Sequence, residues 1–197
     1  MTRASSPLTR GTTTALAVLA GLALAGCTAS GGGSADVTSP TSPTPSTPEQ
    51  FWGGLAMVRV TEVDPATSID ELSDRAELIV RGAAGEVDAP GDGRTRITVD
   101  VSETLAGEGA ERVVVDLFGQ PDEGAADRPP REELLWFLTP AEEDGRWHLV
   151  SRYGLIGEDD DGAPDTVLNP GDAWFEWGAR PASLAETQAA VEESLAG

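Results

Sequence analysis

The sequence predicts a mainly β domain of about six short strands and two helices, and three observations carry that reading. From Arg94 to Ser102 apolar and polar residues alternate: Ile97, Val99 and Val101 share one face, while Arg96, Thr98 and Asp100 share the other. Val113, Val115 and Leu117 repeat the pattern, which is that of a strand with one wet side. Leu134 to Leu138 is apolar throughout, as a central strand covered on both faces must be. Clusters of Gly, Pro and Asp, such as Asp88 to Gly93, punctuate these runs and turn the chain.

Taken in order, the folding part is expected over 51–197 as a single domain by length. A domain of this size hides roughly 68–70% of the surface its unfolded chain exposes, so it needs no covalent staple. Leu55 to Val63 reads as a first strand. Ser68-Ile69-Asp70-Glu71 fits a capping box with Ser68 as N-cap and Glu71 at N3, so a short helix follows that strand. Ile69, Leu72 and Ala76 give the helix one apolar face, leaving Asp70, Asp74 and Glu77 to solvent. Leu78-Ile79-Val80 is a buried strand running into Gly82, and the alternating strands described above come next. Pro121 to Pro130 is a long polar loop before the central strand. Trp147, Leu149 and Tyr153 alternate along Arg146 to Tyr153, and after an acidic loop Trp174 to Trp177 reads as the last strand. Ser183 with Glu186 caps a terminal helix whose Leu184, Val191 and Leu195 pack inward. No internal repeat is present.

Four segments carry a likeness to known proteins: Ser68-Ile69-Asp70-Glu71-Leu72, Ala76 to Gly82, Val99 to Gly107, and Leu134 to Leu138. Through them the stretch from Ser68 to about Ile156 resembles a loosely defined family of secreted bacterial proteins with a small, OB-like β-barrel. The resemblance implies the fold, a small OB-like β-barrel, and with the strands and the terminal helix read above the expectation is a barrel of about six strands with a short helix after the first strand and a C-terminal helix. The family has no settled activity to carry over to particular residues.

The N-terminus has a different character. Arg3 and Arg10 form a basic region, Ala15 to Ala25 is an apolar run, and Leu24-Ala25-Gly26-Cys27 follows, which is the order of a secretory signal over 1–26. The apolar run is too short for a hydrocarbon core, which needs about 20 residues. Leu24-Ala25-Gly26-Cys27 matches the lipobox of bacterial lipoproteins. That resemblance implies a signal peptide cleaved before Cys27 and a diacylglyceryl group, with palmitate-type chains, on its sulfur. Two acyl chains at about 0.8 kcal/mol per buried methylene hold a protein where one chain holds it only marginally. The expected location is the outer face of the cytoplasmic membrane, in the cell envelope.

Residues 27–50 comprise the lipidated cysteine and a linker of Ser, Thr, Pro and Gly, with Gly31 to Gly33 followed by Pro40, Pro43, Pro45 and Pro48. Its Ser and Thr residues beside Pro are equally consistent with a plain spacer and with glycosylation. All 13 basic residues are arginines; without Arg3 and Arg10, the mature chain sets 11 of them against 34 carboxylates, a net charge of −23. Such a field repels phosphate backbones and anionic headgroups, so nucleic acid is excluded as an expected partner. One cysteine cannot form an internal disulfide.

Candidate chemistry is sparse. His148 is the single histidine, so any histidine general base must be this residue. Strand parity sets it with Arg146 and Arg152 toward solvent, with Ser151 on the other face. No Gly-x-Ser-x-Gly elbow is present. Glu158, Asp159, Asp160 and Asp161, followed by Gly162, offer oxygen ligands for calcium, but the spacing is wrong for an EF-hand loop, with Leu168 where the bidentate Glu would sit. A solvated loop is the competing reading. Trp174, Phe175 and Trp177, with Trp52, Trp136 and Trp147, offer either a stacking platform for sugars or peptides or plain packing. Parity turns Trp174 away from Phe175 and Trp177 and sets it under the terminal helix.

The expected function is a lipid-anchored, non-enzymatic binding domain for an envelope protein, peptide or glycan, using no cofactor. Two alternatives stand beside it: a cell-envelope hydrolase centred on His148, and a calcium-stabilised structural domain.

Overall fold

The computed structural model describes residues 44–58, 61–143 and 145–197. The expected signal over 1–26, Cys27 and most of the expected linker lie outside these residues. No helix among the described residues is long and apolar enough to cross a membrane.

Helix α1, Pro48–Ala56, replaces the strand expected from Leu55. Its cause is local: Thr47 accepts from the Gln50 N–H, Gln50 reaches back to the Thr47 N–H, and Pro48 occupies the first turn. Phe51, Trp52 and Leu55 then fall on one face and are buried. A pattern of apolar residues four apart outweighs the short β-branched run that follows it. The helix begins before Phe51, so its first turn lies in the stretch expected to be linker. The described part of Met57 to Val63 forms no strand.

Helix α2, Ile69–Arg75, therefore precedes the first strand instead of following it. Ser68 Oγ accepts from the Glu71 N–H at 3.2 Å, as its sequence predicts. The Glu71 carboxylate reaches one residue further back, to the N–H of Thr67 at 2.7 Å; that bond, assisted by Thr67 Oγ1 and Arg75, draws its pKa below 4.5 against the opposing effect of desolvation. The C-terminal helix α3, Leu184–Ala196, starts the same way: Ser183 caps the Glu186 N–H and Glu186 accepts from Ala182 at 2.8 Å. Leu184 and Val191 are buried as expected, whereas Thr187 takes a core position and Leu195 is exposed.

Seven strands form one sheet: β1 Leu78–Asp88, β2 Arg94–Ala106, β3 Arg112–Phe118, β4 Glu133–Pro140, β5 Arg146–Leu149, β6 Leu155–Glu158 and β7 Pro164–Thr166. Five of them close a barrel in the order β1-β2-β3-β5-β4-β1. All ladders in it are antiparallel except β3 with β5, where Val114 faces Arg146 and Val115 faces Trp147. Closure removes the free edges of β1 and β4. The fold is a small, mainly β barrel with a C-terminal helix, as the sequence predicts. Trp174 to Trp177 is not a strand: Glu176 makes one isolated bridge to Ser68, and Asp172 Oδ1 takes the Trp174 N–H at 2.9 Å. Turns close on this stretch from both sides, with the Phe175 N–H donating to the Asp172 carbonyl at 3.3 Å and Gly178 at a φ of 64°, so no ladder runs through it.

Strand β4 separates two cores. Leu134, Trp136 and Leu138 point into the barrel with Val80, Ile97, Val99, Val115 and Leu155. Phe51, Trp52 and Leu55 of α1 join this interior, each fully buried side chain contributing roughly 1.5–3 kcal/mol. Leu135 and Phe137 point outward to Leu72, Leu184 and Val191 of the helices. The continuous apolar run of this strand is thus explained by burial on both sides. Trp136 donates from Nε1 to the carbonyl of Gly82 at 3.0 Å. A Cβ on Gly82 would lie 2.5 Å from the Asp100 carbonyl oxygen, so glycine is what lets β1 and β2 approach there.

Candidate cleft at the barrel rim

With the barrel interior filled, the space for a ligand lies on the rim. A cleft of about 590 Å³ is lined by Arg94 of β2, Asp116, Leu117 and Phe118 of β3, and His148 and Leu149 of β5. The β4–β5 loop supplies Ala141, Glu142 and Glu143, and the far wall holds Glu62, Ser151, Arg152 and Leu168. Leu117, Phe118, Leu149 and Leu168 are the large apolar residues of its lining, and Glu62, Arg94, Asp116, Glu142, Glu143 and Arg152 the charged ones.

The register builds this wall pair by pair. Arg94 is opposite Phe118 and Arg96 is opposite Asp116. The Arg94 guanidinium lies over the Phe118 ring, 5.5 Å from its centre, within cation–π range. Phe118 itself is 51% exposed. The Asp116 carboxylate is committed elsewhere, accepting from Arg96 Nε at 3.2 Å and Arg146 Nη1 at 3.4 Å. Arg146 also pairs with Glu143 at 2.7 Å, tying the β4–β5 loop to the barrel.

His148 is half-buried in this cleft and does not simply face solvent. Its Nδ1 lies 3.3 Å from the carbonyl oxygen of Asp116. A carbonyl only accepts, so that bond puts the proton of the neutral ring on Nδ1 and leaves Nε2 as an acceptor.

Ser151 lines the same cleft, which parity along Arg146 to Tyr153 does not predict. The reason is that β5 ends at Leu149. Beyond it the chain turns, Leu149 packs with the barrel core, and Tyr153 packs with the helix-side core. The Ser151 hydroxyl donates to the Ala66 carbonyl at 3.1 Å and accepts from the Tyr153 N–H at 3.2 Å.

Arg152 forms the cleft's back wall. Its guanidinium donates to the carbonyls of Val58 at 2.5 Å, Ala56 at 2.9 Å and Leu168 at 3.1 Å, and its own N–H is held by Glu62 at 2.8 Å. Burial pushes its pKa below the ordinary arginine value, opposed by the Glu62 and Tyr153 charges.

The acidic run lies at the turn between β6 and β7. Asp159 Oδ1 accepts from the N–H groups of Asp161 and Ala163, and Glu158 caps the N–H of Leu184 at the start of α3. No group of three or more His, Cys, Asp or Glu side chains that could hold a metal ion is found among the described residues. Of the aromatic candidates, Trp52, Trp136 and Phe175 are buried and Trp147 packs against the barrel core. Phe175 and Trp177 stack edge-on at 4.7 Å. Trp174 is 79% exposed, not covered by α3.

Position in sequence could not have located Arg94, Phe118, Glu62 and Arg152 as neighbours. Arg94 and Phe118 continue the outer-face parity of β2 and β3, but only the register brings them together. In comparisons with known proteins, no family model matches the chain and no curated protein matches it.

Proposed function

We propose that the chain is a lipid-anchored binding module of the cell envelope, held at the outer face of the cytoplasmic membrane through Cys27, whose rim cleft takes a short segment of an envelope protein, peptide or glycan. The observation that carries this reading is where the cleft lies. It opens where the outer faces of β2 and β3 meet the β4–β5 loop, the region that OB-like barrels use for oligomeric ligands. This is support by fold analogy. The cleft's own chemistry adds apolar leucine side chains, an exposed aromatic ring beneath a guanidinium, and an imidazole, a set suited to a chain-like ligand with alternating apolar and polar groups. The acidic field of the mature chain disfavours a nucleic-acid ligand.

The test is crosslinking in intact cells from a photoreactive group at Phe118, with identification of what is captured. One recurring envelope partner, lost when Phe118→Ala and His148→Ala are combined, supports the reading; capture that ignores these substitutions sinks it. The anchoring half is tested separately: Cys27→Ala releases the protein into the medium, and continued retention with membranes contradicts it.

One observation favours a second reading, a hydrolase centred on His148: the cleft that His148 lines is lined also by Glu62, Glu142 and Glu143. Turnover of an envelope peptide or glycan by the purified chain, abolished by His148→Gln, would replace the binding-module reading with this one.

A further inference from the structure

Arginine is scarce in this acidic chain, and the structure uses most of its arginines. Arg75, Arg81, Arg96, Arg146 and Arg180 are ion-paired. Arg94 lies over Phe118, and Arg152 is bonded to backbone carbonyls. Among the described residues three remain, Arg112, Arg128 and Arg131, whose side chains make no hydrogen bond or ion pair. All three line one cleft, of about 480 Å³, on a different part of the barrel surface from the rim cleft. Glu86, Asp100 and Asp127 line it too, yet none of them pairs with the three guanidinium groups. Three guanidinium groups and three carboxylates thus balance in this cleft, with open donor forks, on a chain whose net charge is −21.

The chain also enters the fold at this cleft. Pro45 is part of its lining, and the N–H and hydroxyl of Ser46 donate to the carbonyl of Arg128 at 2.7 and 2.6 Å. The stretch between Cys27 and Pro45 is short, so an anchor at Cys27 would hold these arginines near the membrane surface at an effective concentration of order millimolar.

We infer that the cleft of Arg112, Arg128 and Arg131 binds the phosphate of an anionic phospholipid headgroup and so sets the orientation of the tethered domain. The inference rests on the anchored reading above. Guanidinium forks match phosphate oxygens two at a time, and a site of only millimolar affinity is occupied when it is tethered. The acidic remainder of the molecule is repelled by the same surface. Directed hydrogen bonds from the free forks of a cleft with no net negative charge, set against repulsion from the acidic remainder, select one orientation, with the arginines toward the lipid.

Cys27 is the single cysteine, so a maleimide-bearing lipid attaches the chain from Cys27 onward to vesicles whatever the cell does with that thiol. Failure of lipidation in cells, read by mass spectrometry, stays separate from failure of the cleft. Energy transfer from the tryptophans to a headgroup acceptor is compared on phosphatidylcholine vesicles with and without phosphatidylglycerol. The expected result is a rise with phosphatidylglycerol that molar salt removes, since the screening length falls to about 3 Å at 1 M. R112Q/R128Q/R131Q should show no rise, while R75Q/R180Q, altered elsewhere, keeps it. Should the triple variant fold poorly, the three single variants should each lose part of the rise. No response to phosphatidylglycerol, or a response the triple variant keeps, overturns the inference. So does protection of the cleft by inorganic phosphate alone with no response to the lipid, which would make it a site for the free anion.

Discussion

The Nδ1 atom of His148 lies 3.3 Å from the carbonyl oxygen of Asp116, across the parallel seam between β3 and β5. The contact spends one ring nitrogen on the backbone, and in the binding reading proposed above the other serves the ligand. The same residue pair shows how the site is divided, because the Asp116 carboxylate is turned to Arg96 and Arg146 and only its main chain serves the imidazole.

His148→Phe keeps a flat aromatic ring but removes both the Nε2 acceptor and the Nδ1–H that bonds the Asp116 carbonyl. Losing one interfacial hydrogen bond costs about 0.5–1.5 kcal/mol, so binding of the captured partner should weaken roughly 3- to 10-fold, while loss of the Asp116 bond lowers the thermal midpoint by a few degrees at most. Titration calorimetry against that partner, beside a melting curve, checks both halves.

Arg152→Met should destabilise the fold itself. It strands the carbonyls of Ala56, Val58 and Leu168, which the guanidinium now joins, at a cost of about 3 kcal/mol. For a domain of this size that lowers the thermal midpoint by roughly 10 °C. Arg152→Lys should recover part of the loss, since an ammonium keeps the charge but cannot span three acceptors with a planar fork.

Glu132 makes stability depend on pH. Burial pushes its carboxyl above the ordinary 4.5, against the opposing hydrogen bond from Trp52 Nε1 at 2.7 Å. A carboxyl whose pKa is higher in the folded than in the unfolded state holds its proton more tightly in the fold. Its contribution is therefore full below pH 4.5 and is lost as the pH rises through the folded value. Glu132→Gln keeps an acceptor for Trp52 without the charge. Urea unfolding as a function of pH should show that window flattened and stability at neutral pH slightly raised.

Tyr153 is the single tyrosine, so ultraviolet titration of the phenolate reports on it alone. Burial, together with the hydrogen bond its hydroxyl donates to Asp172 at 2.9 Å, pushes its pKa up to about 12. The folded protein should titrate near that value and the urea-unfolded chain near 10.0. The stability tied to the protonated phenol is lost as the pH rises between them. Asp172→Asn should lower the folded value.

Local patterning determined much of this protein. Strict alternation in β2 and β3, the continuous run in β4, and the Ser68 and Ser183 caps are legible in sequence because each depends on residues within a turn or a strand of one another. The Thr47-to-Gln50 box was equally local, and it outweighed the β-rich look of the residues after Leu55. Tertiary structure decided the rest. Where β5 ends sets whether Ser151 faces the cleft, and the register of β2 on β3 sets Arg94 on Phe118. Barrel closure gathers three partnerless arginines beside the point where the chain enters the fold. Periodicity states which face a side chain takes, but pairing between strands far apart in sequence depends on filling the barrel with Trp136 and α1, a property of the whole chain's packing.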